Sequence, residues 1–300
     1  MPRKRRLGLA LGSGSARGWA HIGVVRALVE QGIVPDAICG CSIGAFVGAV
    51  HADGDLRKLE TWVSSLTWQD VVSLLDVSLR GGLIKGERLI QFFERHFVDR
   101  DFADLPLPFA CVATDLESGR EIWLREGSVA HAVRASIALP GLFTPVAHED
   151  GFLVDGGLVN PVPVSLCRAM GADVVIAVDL GSDIVGRGLR RPVSEAPAET
   201  EASWTRRVLG RLGMASDSAD AEASQSPSMV SVLTTSINIM QVRIARSRLA
   251  GEPADVLISP RLGQLGLMDY HRGSEAIAEG RAAVARMLPA IRHALEERIR

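Results

Sequence analysis

No run of apolar residues in this 300-residue chain approaches the roughly 20 needed to span a bilayer as a helix. Neither sign of charge is in excess: 33 Lys and Arg face 35 Asp and Glu, a formal net charge of -2. That balance gives no reason to expect a nucleic-acid partner. Cysteine is sparse. Cys39, Cys41, Cys111 and Cys167 stand at apolar, strand-like positions without metal or redox spacing. Reduced thiols, a cytoplasmic location, no metal and no cofactor are therefore expected. The basic cluster Arg3-Lys4-Arg5-Arg6 precedes an apolar run too short for a secretory leader. It reads as a solvated tail or as a peripheral contact with an anionic inner membrane surface.

What is present is ordinary globular composition, 47% hydrophobic and 23% charged, ample for a sizeable core in one large domain or two small ones. The first 180 residues alternate short apolar runs with amphipathic helical patterns. "RLGLAL" (6–11), "PDAICG" (35–40), "FACVATDL" (109–116), "DVVIAVDLG" (173–181) and "ADVLISP" (254–260) read as strands. Helices are expected over 18–31, 43–52, 229–250 and 274–294. Strands this apolar, separated by helices, predict an α/β fold: a mostly parallel central sheet covered on both faces. Residues 63–97 read as helices rich in Leu and Val, with "RGGLIKGERL" as a turn between them. The stretch 182–228 is rich in Gly, Pro, Ala, Ser and Glu and reads as a flexible linker or lid-like insertion. Its basic island Trp204–Met214 is either transient helix or a membrane-surface contact.

Three segments could carry chemistry. Gly12-Ser13-Gly14-Ser15-Ala16-Arg17-Gly18 joins the first strand to the first helix. Its N–H groups would suit a phosphate or an ester oxyanion, with a plain tight turn as the alternative. A dinucleotide fingerprint would place its third glycine one residue before Gly18, and no acid clearly ends a second strand. Gly40-Cys41-Ser42-Ile43-Gly44 fits G-x-S-x-G, the strained turn that presents a nucleophilic serine; a serine N-cap of a plain βα unit is the alternative. Asp155, ahead of Gly156 and Gly157, ends the apolar run 152–154. Partial burial there would raise its pKa toward that of a general base, although the motif by itself reads first as an Asp-Gly turn. Asp115 and Asp179 are rival strand-end acids. None of the seven histidines ends an expected strand. His271 follows the acids in the chain order of a Ser–acid–His triad, but it lies in "MDYHRGS" at an expected helix start.

Taken together, "GSGSARG" with "WAHIGVVRAL", "GCSIG", "ASIALPGLFTPV" (135–146) and "DGG" (155–157) resemble the patatin-like phospholipase family, in its bacterial branch akin to the catalytic domain of neuropathy target esterase. The resemblance implies a three-layer fold in one domain over 1–300, with a catalytic core of about 6–180. Residues 229–300 would complete it as C-terminal helices and a strand. It implies a Ser42–Asp155 dyad that cleaves fatty-acyl esters or (lyso)phospholipids, with an oxyanion hole drawn from Gly14, Ser15, Ala16 and Arg17. Gly12, Gly18, Gly40, Gly44, Gly156 and Gly157 would shape the loop and elbow. Cys41 would be a packing residue, and the apolar segment 63–79, with Trp68, would line an acyl pocket, form a lid or pack as core. Many members carry glycines where this chain has Ser13 and Ser15. Ser15 could still offer its N–H if its backbone stayed outside the glycine-only regions. A nucleotide- or phosphate-binding module and a silent regulatory relative, both on the same scaffold, are the alternatives.

Overall fold

The computed structural model describes residues 5–74, 84–182 and 229–296. Arg3 and Lys4, residues 80–83 of the expected turn, and the insertion from 183 to 228 with its island Trp204–Met214 lie outside them. The strands are β1 (Leu7–Leu11), β2 (Ala37–Cys41), β3 (Phe109–Asp115), β4 (Glu121–Leu124), β5 (Val146–His148), β6 (Gly151–Asp155), β7 (Val174–Val178) and β8 (Val256–Ile258). The helices are α1 (Ala20–Glu30), α2 (Ile43–Asp53), α3 (Leu56–Ser65), α4 (Trp68–Leu74), α5 (Glu87–His96), α6 (Val129–Ser136), α7 (Val164–Ala169), α8 (Met229–Gly251) and α9 (Gly273–Glu296).

β3, β2, β1, β7 and β8 lie parallel in that order. Their alternation explains the two covering layers. Leu7, Leu9 and Leu11 of β1 enter the large core, with residues of α1, α2, α3 and α9. The smaller Ala10, Cys39, Ala110 and Ala177 face α7 and α8, because small side chains let those helices approach closely. At the crossing of α1 and α9, a Cβ on Gly23 or Gly280 would collide with the other helix's carbonyl oxygen, so both positions admit only glycine at this spacing.

β4, β5 and β6 are antiparallel additions, and they decide where the site forms. On β3, β2 pairs with residues 109–112 and β6 with residues 113–115, while β4 pairs with 111–114. A strand has two edges, and β4 overlaps both other partners. It must occupy the opposite edge, leaving β2 and β6 to share one edge end to end. Their carboxyl ends therefore meet: Cys41 pairs with Val112, and Asp155 with the adjacent Ala113.

Candidate active site

Ser42 follows β2 with φ 55 and ψ -124, a left-handed conformation that L residues avoid and nucleophile turns adopt. Its side chain does not cap α2. The Oγ donates instead to Asp155 Oδ2 at 2.7 Å. The turn is fixed from two sides. Ser42 N–H donates to Ser136 Oγ at 2.9 Å, and Ser136 donates to the Val112 carbonyl at 2.7 Å. A Cβ on Gly40 would sit 2.5 Å from the Ala45 nitrogen, so the elbow closes only over a bare α-carbon. Gly18 lies directly against the Ile43 side chain, and Gly12 against the Val178 carbonyl.

Asp155 is buried at 1% exposure. Oδ1 accepts the Gly157 N–H at 2.7 Å, its carbonyl accepts from Thr114 Oγ1 at 2.8 Å, and Gly156 backs onto the Val112 carbonyl. Burial pushes the carboxyl up to about 6, and the hydrogen bonds from Ser42 and Gly157 pull against that rise. The rival acids serve turns. Asp115 accepts from Ser118 N–H and Oγ, and Asp179 from the Gly181 N–H. Cys41 is fully buried, and burial holds its thiol protonated.

The glycine-rich loop spans the other wall. Gly12 N–H goes to the Val178 carbonyl and Ser13 N–H to that of Pro161. Ala16 N–H goes to Leu267 and Arg17 N–H to Gly14. The Gly14 and Ser15 N–H groups have no partner among the described residues. The four expected oxyanion donors thus divide: Ala16 and Arg17 have committed their N–H groups, while Gly14 and Ser15 have not. Arg17 acts as a brace, its buried side chain donating through Nε to the Leu265 carbonyl at 2.8 Å.

No histidine among the described residues bonds to Ser42 or Asp155. His271 packs edge-on to Trp68 at 5.6 Å. His21, fully buried, contacts the Gly12 carbonyl through Nε2 at 2.7 Å. A carbonyl can only accept, so Nε2 carries the proton. Burial lowers the His21 pKa to about 4. Its neutral form is thus favoured on folding, and stability falls as pH drops from the unfolded value near 6.5 toward 4. The loss attributable to His21 between pH 7 and pH 4.5 should be about 2 kcal/mol. Urea midpoints at both pH values for wild type and His21→Gln check this, since glutamine retains an N–H donor. A variant as acid-sensitive as wild type would contradict it.

Ser42, Asp155, Gly14 and Ser15 open into one cleft of about 1080 Å³, including its mouth. Phe46, Trp62, Leu66, Val71, Leu74 and Leu89 give it an apolar wall; Thr234, Asn238 and Gln241 of α8 give it a polar one. Of the segment 63–79, Leu66, Val71 and Leu74 line this cleft, Trp68 packs against His271, and residues 75–79 lie outside those described. The sequence reading missed Ser136, although "ASIALPG" contained it, and missed the segment 265–270. Among the described residues, no helix is long and apolar enough to cross a membrane, and no cluster of acidic, His and Cys side chains could hold a metal.

The sequence model of the patatin-like phospholipase family matches residues 9–168. An uncharacterised NTE family protein of Mycobacterium tuberculosis is 35% identical, over 95% of this chain and 92% of the relative. Patatin-like phospholipase domain-containing protein 6 of Homo sapiens is 36% identical over 59% of this chain and 13% of its own length. Lysophospholipase nte1 of Aspergillus fumigatus is 37% identical over 59% and 12%. Among solved structures, VipD from Legionella pneumophila shares the fold with a TM-score of 0.56 at 15% identity, over 96% of this chain and 67% of its own.

Proposed function

Since this chain belongs to the patatin-like phospholipase family, we propose that it is a carboxylic ester hydrolase in which Ser42 and Asp155 cleave fatty-acyl esters of the (lyso)phospholipid type. The observation that carries this reading is the 2.7 Å bond from Ser42 Oγ to Asp155 Oδ2 at the floor of an apolar cleft. Asp155 takes the proton as Ser42 Oγ attacks the ester carbonyl. The Gly14 and Ser15 N–H groups receive the negative charge that develops on the carbonyl oxygen; each such donor is worth about 3–4 kcal/mol. Asp155 then protonates the leaving alcohol, and the acyl group stays on Ser42. In the second half, Asp155 accepts a proton from water, hydroxide attacks the acyl-enzyme, and the fatty acid leaves as Ser42 regains its proton. The apolar wall suits an acyl chain and the polar face of α8 suits a headgroup. A nucleotide fits less well, because the free N–H groups open onto a carboxylate that would repel phosphate.

Fatty acid release from a lysophospholipid and from a nitrophenyl ester tests the proposal, with mass spectrometry of the peptide labelled by an alkyl fluorophosphonate. Label on Ser42 is expected. The base must be ionised to act, so kcat/KM should rise with pH through a single ionisation near 6 and then level. An absence of hydrolysis, label on another residue, or an acid limb in the ordinary carboxylate range near 4 would defeat this reading.

A further inference from the structure

Ser15 is one of three non-glycine residues at positive φ among those described, with φ 52. An L residue pays about 1–2 kcal/mol to sit in that region. Serine can occupy this left-handed region, unlike the glycine-only ones, but something must hold it there. Its side chain shows what does. Ser15 Oγ lies 2.6 Å from the Leu267 carbonyl oxygen and 2.8 Å from Tyr270 Oη. The carbonyl has no proton to give, so the Ser15 proton goes to Leu267. Ser15 Oγ is then the acceptor, and Tyr270 O–H the donor.

Tyr270 is itself fixed. Trp19 Nε1 donates to its carbonyl at 3.1 Å, and the two rings meet edge to face at 6.0 Å. Burial disfavours the phenolate, which keeps the hydroxyl a donor. The same Leu267 carbonyl also accepts the Ala16 N–H at 3.1 Å. On the other side, Gly14 has no side chain to anchor it, yet its peptide with Ser15 carries one of the two free donors. The carbonyl of that peptide accepts the Arg17 N–H at 3.2 Å, and the hydroxyl that Tyr270 holds fixes the same peptide from the Ser15 side.

We infer that Tyr270 is a positioning residue: through Ser15 Oγ it locks the loop at positive φ with the Gly14 and Ser15 N–H groups turned toward Ser42. This rests on the hydrolase reading of the site. It predicts a coupling specific to this chain, because a glycine at 15 would take the same backbone conformation unaided and leave Tyr270 nothing to hold. The oxyanion exists only in the transition state, so the effect falls on kcat and not on KM.

The test is a double-mutant cycle on nitrophenyl ester hydrolysis, with the rate of fluorophosphonate labelling followed in parallel. Tyr270→Phe should lower kcat about tenfold with KM within about twofold. In the Ser15→Gly background the same change should alter kcat less than about twofold. Fluorophosphonate labelling should slow in step with kcat. Equal losses in both backgrounds, a change confined to KM, or an unaltered kcat in Tyr270→Phe would each overturn the inference. Should Tyr270→Phe fail to fold, recovery of folding and activity in the Ser15→Gly double variant supports the coupling, and failure there too overturns it. A wild type that neither hydrolyses esters nor labels at Ser42 would sink the hydrolase reading itself. An active wild type without coupling sinks only the role of Tyr270.

Discussion

Asp155→Asn should lose roughly 10⁴-fold in kcat/KM, as should Ser42→Ala, and the double variant should be no worse than either. Dyad members act as a unit, so the second removal takes away nothing that the first left. Asparagine nearly matches the volume of the carboxyl and can still accept from Gly157 N–H, but it cannot take the Ser42 proton. The same variant should be more stable than wild type at pH 8. Asp155 titrates at about 6 when folded and near 3.9 when unfolded. Above pH 6 the folded state therefore holds a buried carboxylate that the unfolded chain ionises freely, at a cost of about 3 kcal/mol. Some of that is offset on substitution by rearranged hydrogen bonds, leaving an expected gain of about 1–3 kcal/mol. Below pH 4 both states bind the proton, and the gain disappears. Urea unfolding at pH 8 and pH 4 with parallel initial rates checks both halves. Activity within tenfold of wild type in either single variant would refute the dyad. A variant less stable than wild type at pH 8 would mean that Asp155 is held mainly for structure.

β1, β2, β3 and β7 were legible in the sequence because each is buried on both faces along nearly its whole length, so an unbroken apolar run marks it. β8, at the edge with Leu257 exposed, kept the apolar run alone. β4 and β5 were not legible. They are short and lie partly in solvent, with Trp123 of β4 at 40% exposure, and such segments resemble loops. β6 was visible as an apolar run ending at Asp155, but its direction was not, because strand pairing is non-local. That direction brings Asp155 to the end of β2. The bond between Ser42 and Asp155 thus depends on β2 and β6 sharing one edge of β3, which no local pattern records. The clamp from 265 to 270 was hidden for a related reason. It works mostly through the carbonyls of Leu265, Leu267 and Tyr270, and carbonyls are the same in every residue. Gly40 and Gly44 were read as marks of a turn too close for larger side chains, and a Cβ on either would stand within 2.5 Å of neighbouring backbone. The positive φ angles of this site, however, belong to Ser15 and Ser42.

Crowding gives the second large effect. A Cβ on Gly44 would stand 2.7 Å from the Gly12 carbonyl oxygen and closer still to that of Leu11. Both obstacles are backbone, held in β1 and at the root of the glycine-rich loop, and neither can rotate aside. Relief must come from moving α2, and with it Ser42, away from the loop. Gly44→Ala should therefore cost about 3 kcal/mol or more, since overpacking against fixed atoms exceeds the helix propensity that alanine gains. It should also lower kcat about 10²-fold in the protein that remains folded, the scale expected when a reacting group shifts by about 1 Å. Gly48→Ala, one turn along the same helix, separates crowding from propensity. Its Cβ would meet the side chains of Ile38 and Phe109 at 3.1 Å, and side chains can give by a few tenths of an ångström. That variant should stay within about 1 kcal/mol of wild type with kcat nearly unchanged. Urea midpoints and kcat for the two variants decide the matter. If Gly44→Ala matched Gly48→Ala in both, the backbone contact between elbow and loop would not be what aligns Ser42 beneath the free N–H groups.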